Sequence, residues 1–203
     1  KNDLITIAGR AGMRKSWLLL FLILILDRIL PEDFGEILFI SNEMGEEELQ
    51  DRLDCLNFKL PFSDFNKGIL TRAKKREYRE GLNNLRHLSS RIRIIYNCNT
   101  LEEVESKIAI YTPTAVFIDG SYLLEPNAEE DWKKIVKITR NLKRMALNNH
   151  IPIINTTQMK RKTGRKKSSS FDAQDDFAFS NAYTQDSDLA MTMFQDDMMI
   201  YNQ

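Results

Sequence analysis

Gly9-Arg10-Ala11-Gly12-Met13-Arg14-Lys15-Ser16 lies between an apolar run and a helix-forming run. These residue types at this spacing suit the holding of phosphate. A loop of the form GxxxxGK[ST] wraps backbone N–H groups and a helix N-terminus around phosphate oxygens. Its lysine then reaches the terminal phosphates and its hydroxyl ligates Mg²⁺. The segment matches at Gly9, Lys15 and Ser16, and carries Arg14 where the second glycine belongs. A side chain there either strains the turn and crowds the phosphates, or adds a cation that assists them. The plainer alternative is a strand–turn–helix connection with a basic helix start.

Three further positions carry chemistry, each at the end of an apolar run. Asp119 closes TAVFID; an acid delivered in this way holds the Mg²⁺ shell in P-loop ATPases, although it could equally cap the next turn. Glu43, in Ser41-Asn42-Glu43-Met44, could activate an attacking water as a general base. It could also simply complement the macrodipole of the helix that begins near Glu46. Gln158 follows Thr157 at the end of another apolar run, where its amide either senses a γ-phosphate or is an ordinary loop amide.

The elements that must position these groups follow from the patterning. Leu4 to Ala8 reads as a strand and Lys15 to Leu30 as a helix, broken by Pro31 and Gly35. Glu36 to Ser41 is a second strand and Glu46 to Leu56 a helix. A basic, helix-favouring stretch runs from Ser63 to Leu88, and Arg91 to Tyr96 is a third strand. Thr100 with Glu103 makes a capping box for a helix over Leu101 to Tyr111. Thr114 to Asp119 is a fully apolar strand, and Asp131 to Asn149 an amphipathic helix with Ile135, Ile138, Leu142, Met145 and Ala146 on one stripe. Ile151 to Thr157 is the next strand. Leu189 to Phe194 and Met198 to Tyr201 read as later strands, in an antiparallel hairpin at a sheet edge, and Lys160 to Ser187 as a long polar loop. Continuous apolar strands alternating with helices predict an α/β fold with a mostly parallel, twisted sheet covered on both faces.

Composition narrows the function classes. The 203 residues are 42% apolar and carry 29 basic and 29 acidic side chains, so the chain can bury a core and is not disordered as a whole. Cys55 and Cys98 lack metal-ligand spacing, which argues against a disulfide framework or structural zinc and for a reducing compartment. The most apolar stretch, Trp17 to Leu26, is ten residues long, about half of the roughly 20 that a bilayer requires. It predicts a buried helix and no membrane anchor. The neutral total hides segregation: Lys67 to Arg93 holds nine Lys/Arg against two Glu, and six of the eight residues from Lys160 to Lys167 are basic. Such runs fit either an anionic partner or a solvated face.

In combination and order, these motifs resemble the RecA-like motor domain of DnaB-type replicative helicases, phage relatives included. ILFISNEMGEEELQDRL is similar to that family's strand, Ser-x-Glu-Met and Arg-Leu helix. ITRNLKRMALNNHIPIINTTQMKR resembles its Arg-x-Leu-Lys helix, following strand and Gln-containing loop, and TQDSDLAMTMFQD resembles its Gln-Asp-x-Asp segment. The likeness runs from Ile5 to about Asp196. It implies a single RecA-like P-loop ATPase domain over residues 1–203, with ATP and Mg²⁺ as cofactors. Gly9, Arg10, Ala11, Gly12, Met13, Arg14, Lys15 and Ser16 would bind nucleotide, Ser16 and Asp119 would hold the metal, and Glu43, Lys15 and Gln158 would be catalytic. It further implies a hexameric ring on single-stranded DNA, a primase or loader as a further partner, and a cytoplasmic setting in a bacterial host.

The chain departs from the family's pattern in places. Arg14 replaces a glycine, and Ala178-Phe179-Ser180-Asn181 stands where the family carries Arg-Glu-Ser-Gly before Gln-Asp-x-Asp. Lys160, Arg161, Lys162, Arg165, Lys166 and Lys167 supply charge that can substitute in contacting DNA phosphates. Phe171, Phe177, Phe179 and Tyr183 lie near enough in sequence to stack bases; a solvated loop is the alternative. An N-terminal domain, a linker helix and an arginine-finger segment are expected to lie outside this stretch. The leading expectation is an ATP-hydrolysing motor that translocates on single-stranded DNA. The alternatives are a nucleotide-binding or degenerate RecA-like regulatory or loading protein without helicase activity, and, more remotely, a RecA-like recombinase.

Overall fold

A computed structural model describes residues 2–84, 91–126, 131–158 and 185–194. Its centre is a six-stranded sheet of order β3-β2-β4-β5-β1-β6. The strands are β1 (Leu4–Gly9), β2 (Ile37–Ser41), β3 (Ile92–Tyr96), β4 (Ala115–Asp119), β5 (Ile153–Gln158) and β6 (Leu189–Met193). Every described pairing is parallel.

The apolar runs have the cause that the sequence suggests. β2 and β4 are buried along their whole length, so residues on both faces must be apolar. Successive side chains go to opposite faces: Ile37, Phe39, Ala115 and Phe117 pack with Leu19, Leu20 and Ile23 of α1 (Lys15–Ile29) and Leu49 of α2 (Glu46–Asn57). Leu38, Ile40, Val116 and Ile118 pack on the other face with two helices from later in the chain.

Those two helices are α5 (Leu101–Tyr111) and α6 (Asp131–Asn149). The α5 capping box forms with both halves present: Thr100 Oγ1 accepts from the Glu103 N–H, and Glu103 accepts from the Thr100 N–H. A cap of this kind contributes about 1 kcal/mol. On α6, Ile138, Leu142, Met145 and Ala146 are buried and Ile135 is half-buried, as the stripe predicts.

The basic, helix-favouring stretch from Ser63 forms two helices, α3 (Phe62–Asn66) and α4 (Arg72–Asn84). Gly68 divides them at φ 69°, with its N–H donating to Phe65 O and the Ile69 N–H donating to Asp64 O. A left-handed glycine of this kind stops a helix by satisfying its last carbonyls. α4 packs on the end of α2 through Tyr78, which meets the Phe58 ring edge-on at 5.1 Å and donates to Asp54. Gly81 makes that approach possible, since a Cβ there would fall 2.2 Å from the Phe58 ring.

The edge strand β6 forms where the sequence places it, at one side of the sheet. Leu189–Met193 runs parallel to β1, with Ile5 opposite Leu189 and Gly9 opposite Met193. Met198 to Tyr201, the proposed antiparallel partner, lies outside the described residues, as does most of the Lys160 to Ser187 loop. Among the described residues, no helix is long and apolar enough to cross a membrane.

Candidate nucleotide site at the carboxyl edge of the sheet

Parallel pairing brings all the strand ends to one edge, where ligands gather in open α/β sheets. The register places Gly9 of β1 opposite Gln158 of β5, and Ser41 of β2 opposite Asp119 of β4. Because β5 lies between β1 and β4, the chemistry-bearing residues, far apart in sequence, become neighbours.

The loop after β1 is a tight turn, with the Met13 N–H donating to Arg10 O at 3.2 Å. Gly12 has φ 80° and Arg14 is left-handed at φ 58°, ψ 29°. Arg14 is thus the N-cap of α1, in a conformation that glycine takes freely and other residues adopt at a cost of about 1–2 kcal/mol. This is the physical reason that a glycine suits the position. No side chain caps α1 and no acid occupies its first turn, so the helix offers its N–H groups to an anion. Arg14→Gly is expected to raise the stability of the chain by about 1 kcal/mol, read as a higher urea midpoint at unchanged m-value. An unchanged midpoint would mean that the arginine side chain offsets its own backbone strain.

Lys15 is 5% exposed. Its Nζ donates to Gly9 O and Arg10 O, each at 3.1 Å, so the ammonium is folded over the loop that it belongs to. Gly9 accommodates the stem, because a Cβ there would lie 3.3 Å from Lys15 Cδ. Burial pushes the Lys15 pKa down, and the charges of Glu43 and Asp119 pull it back up.

Asp119 is fully buried. Its Oδ1 accepts from Thr156 Oγ1 at 2.8 Å, and that same oxygen of Thr156 accepts from the Gly120 N–H. Its Oδ2 is buried without a hydrogen bond. The carboxylate does not cap the following turn; burial holds its pKa above the usual range, against the pull of the nearby Ser16 hydroxyl. An orphaned, buried carboxylate oxygen beside a serine hydroxyl fits a hard divalent cation. Mg²⁺ takes one or two protein oxygens and fills its octahedron with water and phosphate oxygens. The described residues hold no cluster of three or more His, Cys, Asp or Glu that would cage a metal by themselves.

Glu43 lies outside α2, whose N-cap is Gly45. The loop that carries it is turned by Ser41 Oγ, which donates to Met44 O at 2.8 Å. Glu43 Oε1 accepts from Tyr122 Oη, and its stem passes so close to Gly120 that a Cβ there would lie 2.8 Å from Glu43 Cγ. Gln158 is exposed at the end of β5 beside the start of the loop that follows β1. Lys160, Arg161, Lys162, Arg165, Lys166 and Lys167 lie outside the described residues. Sequence reasoning missed Thr156 and Tyr122: a threonine in a strand and a tyrosine in a turn carry no signature. The Asp-Gly pair at 119–120 is a turn signal that could have marked the neighbourhood.

The sequence matches the DnaB-like helicase C terminal domain over residues 1–203. No curated protein matches it. Among solved structures, one ATPase domain superposes with a TM-score of 0.78 at 20% identity, covering 100% of this chain and 72% of that one. A DnaB-like replicative helicase, whose structure was described with its interactions with primase, superposes with a TM-score of 0.79 at 20% identity. This chain is covered completely there but spans only 49% of that protein. At such identity the superpositions speak for the RecA-like fold.

Proposed function

The chain belongs to the DnaB-like helicase C-terminal domain family, and from that premise we propose that it is a motor domain that hydrolyses ATP to move along single-stranded DNA. The observation that carries the reading is the buried Lys15 ammonium at the head of an uncapped helix, flanked by Glu43 and Asp119. One cation and two carboxylates of distinct environment, at a phosphate-shaped turn, have the parts that phosphoryl transfer to water needs.

In this mechanism the N–H groups of the turn and of α1 take the β- and γ-phosphate oxygens. Lys15 exchanges its bonds to Gly9 O and Arg10 O for phosphate oxygens, and so neutralises charge as it moves to the leaving group. Ser16 and Asp119 would hold Mg²⁺, which when bound supplies further charge neutralisation. Glu43 accepts a proton from the attacking water through the carboxylate oxygen that Tyr122 leaves free. Gln158, at the end of the strand between the two halves of the site, is suited to contact the γ-phosphate and couple its loss to the residues that follow it. Those residues include Lys160 to Lys167, the proposed DNA contact. A hexameric ring and a primase or loader partner extend the same reading.

The left-handed Arg14 favours a second reading, a nucleotide-binding or loading protein without hydrolysis. Phosphate release with and without single-stranded DNA separates the two. DNA-stimulated, Mg²⁺-dependent turnover that appears only with ATP supports the motor. Saturable ATP binding with no turnover, alone or with DNA, supports the loading protein.

A further inference from the structure

Beyond the residues of the phosphate loop and the strand ends, one side chain contacts the Glu43 carboxylate directly. Tyr122 lies in the short 3-10 turn Ser121–Leu123 that follows β4, 79 positions from Glu43 in sequence, and its hydroxyl donates to Glu43 Oε1. The turn is fixed from beneath, since Ser121 Oγ donates to Asn155 Oδ1 at 2.9 Å and the Gly120 N–H donates to Thr156 Oγ1 at 2.8 Å. Gly120, at φ 83°, leaves the space through which the Glu43 stem passes. Two independent features, a vacated Cβ position and a directed hydroxyl, therefore hold one carboxylate on a buried platform built by β4 and β5.

We propose that Tyr122 is a positioning residue for hydrolysis, occupying one oxygen of Glu43 so that the other is presented to the attacking water. This rests on the reading of Glu43 as the base. A glutamate on an exposed loop samples several rotamers, and only those with an oxygen within hydrogen-bond reach of the water are productive. The hydroxyl donates to one of the two carboxylate oxygens and leaves the second with its lone pairs. The Tyr122 proton stays on the phenol: burial and the adjacent Glu43 charge hold its pKa well above the usual tyrosine range. The other charged groups that interact with Glu43 are Lys15 from α1 and Asp119 from β4. The same platform carries Asp119, so the position of the base is tied to the strand that ends in the metal-site acid.

The test is a double-mutant cycle of Tyr122→Phe and Glu43→Gln, read in turnover and nucleotide affinity. Tyr122→Phe keeps the ring and removes the donor. It is expected to lower kcat on the order of 10- to 100-fold with KM and nucleotide affinity unchanged. On the Glu43→Gln background it should lower kcat no further, since the carboxylate that it positions is gone. An unfolding cycle of Tyr122→Phe with Glu43→Ala, which removes the accepting oxygens, needs no turnover and reads the same contact as non-additive midpoints. Wild-type kcat in Tyr122→Phe, a faster enzyme, or effects that add fully to those of Glu43→Gln would overturn the proposal. If Glu43→Gln alone hydrolyses normally, it is the reading of Glu43 that fails.

Discussion

Glu43→Gln is expected to slow ATP hydrolysis on the order of 10²- to 10⁴-fold, the usual contribution of a positioned general base, while ATP still binds. The substitution keeps the side chain's length and an oxygen that can accept from Tyr122 Oη. It removes the charge that, on the proposed mechanism, accepts the proton of water. Glu43 is exposed and lies outside α2, so the fold does not depend on it and the loss will appear in kcat rather than in stability. Single-turnover phosphate release with pre-bound Mg²⁺·ATP checks this directly. If the variant releases phosphate at the wild-type rate, Glu43 is a loop acid and the base must be sought elsewhere on the same edge.

Lys15→Ala is expected to weaken nucleotide binding on the order of 10²-fold, because charge-assisted hydrogen bonds contribute about 1.5–3 kcal/mol each and 1.4 kcal/mol is a factor of ten. The structure supplies a control for this test. Lys15 is nearly fully buried, and burial pushes its pKa down, so the folded chain bears a cost for the charge that alanine removes. The bonds to Gly9 O and Arg10 O offset part of that cost. The unfolding midpoint should therefore hold or rise as affinity falls. Equilibrium titration with a fluorescent ATP analogue, paired with thermal unfolding, distinguishes the outcomes. Lost affinity with an intact midpoint places the lysine on the phosphates. Intact affinity would mean that nucleotide, if bound at all, sits elsewhere.

With both expected outcomes, the two variants would divide the site into a binding half and a hydrolytic half, a division that follows the sheet. Lys15 and Ser16 come from the connection after β1, Glu43 from the connection after β2, and Asp119 from the end of β4. The strand between β1 and β4 is β5, which carries Gln158 at its exposed end. A group that senses the γ-phosphate from that position has a backbone shared with both halves, the arrangement that a coupled motor requires.

Much of this was legible in the chain because it depends on local rules. Strands buried on both faces must be apolar throughout, so β2 and β4 declare themselves. The α6 stripe follows the helical repeat, and Thr100 with Glu103 announces a helix start by satisfying orphan N–H groups on the spot. The Gly-Lys-Ser spacing around Gly9 reports a turn and a helix head that are contiguous in sequence. Even the misfit of Arg14 was readable, though its form, a left-handed arginine capping α1, was not.

The rest depended on pairings between residues far apart, and no local pattern encodes those. The docking of α4 turned on Gly81, whose missing Cβ matters only because Phe58 comes to lie over it. β6 reads the same whether it pairs parallel or antiparallel; the partner, β1, decides. Asp119 was visible as an acid ending a strand. Its orphaned Oδ2, its bond from Thr156 and the Tyr122 grip on Glu43 arise only when β4 and β5 are laid side by side. Sequence by itself determined which elements form and which residues carry charge at the ends of the strands, since those follow from each residue's own conformational preferences and solvation. The tertiary structure alone decided which of those residues share a wall and which oxygen is left free, since burial and hydrogen-bond satisfaction are properties of neighbours that only the closed sheet supplies.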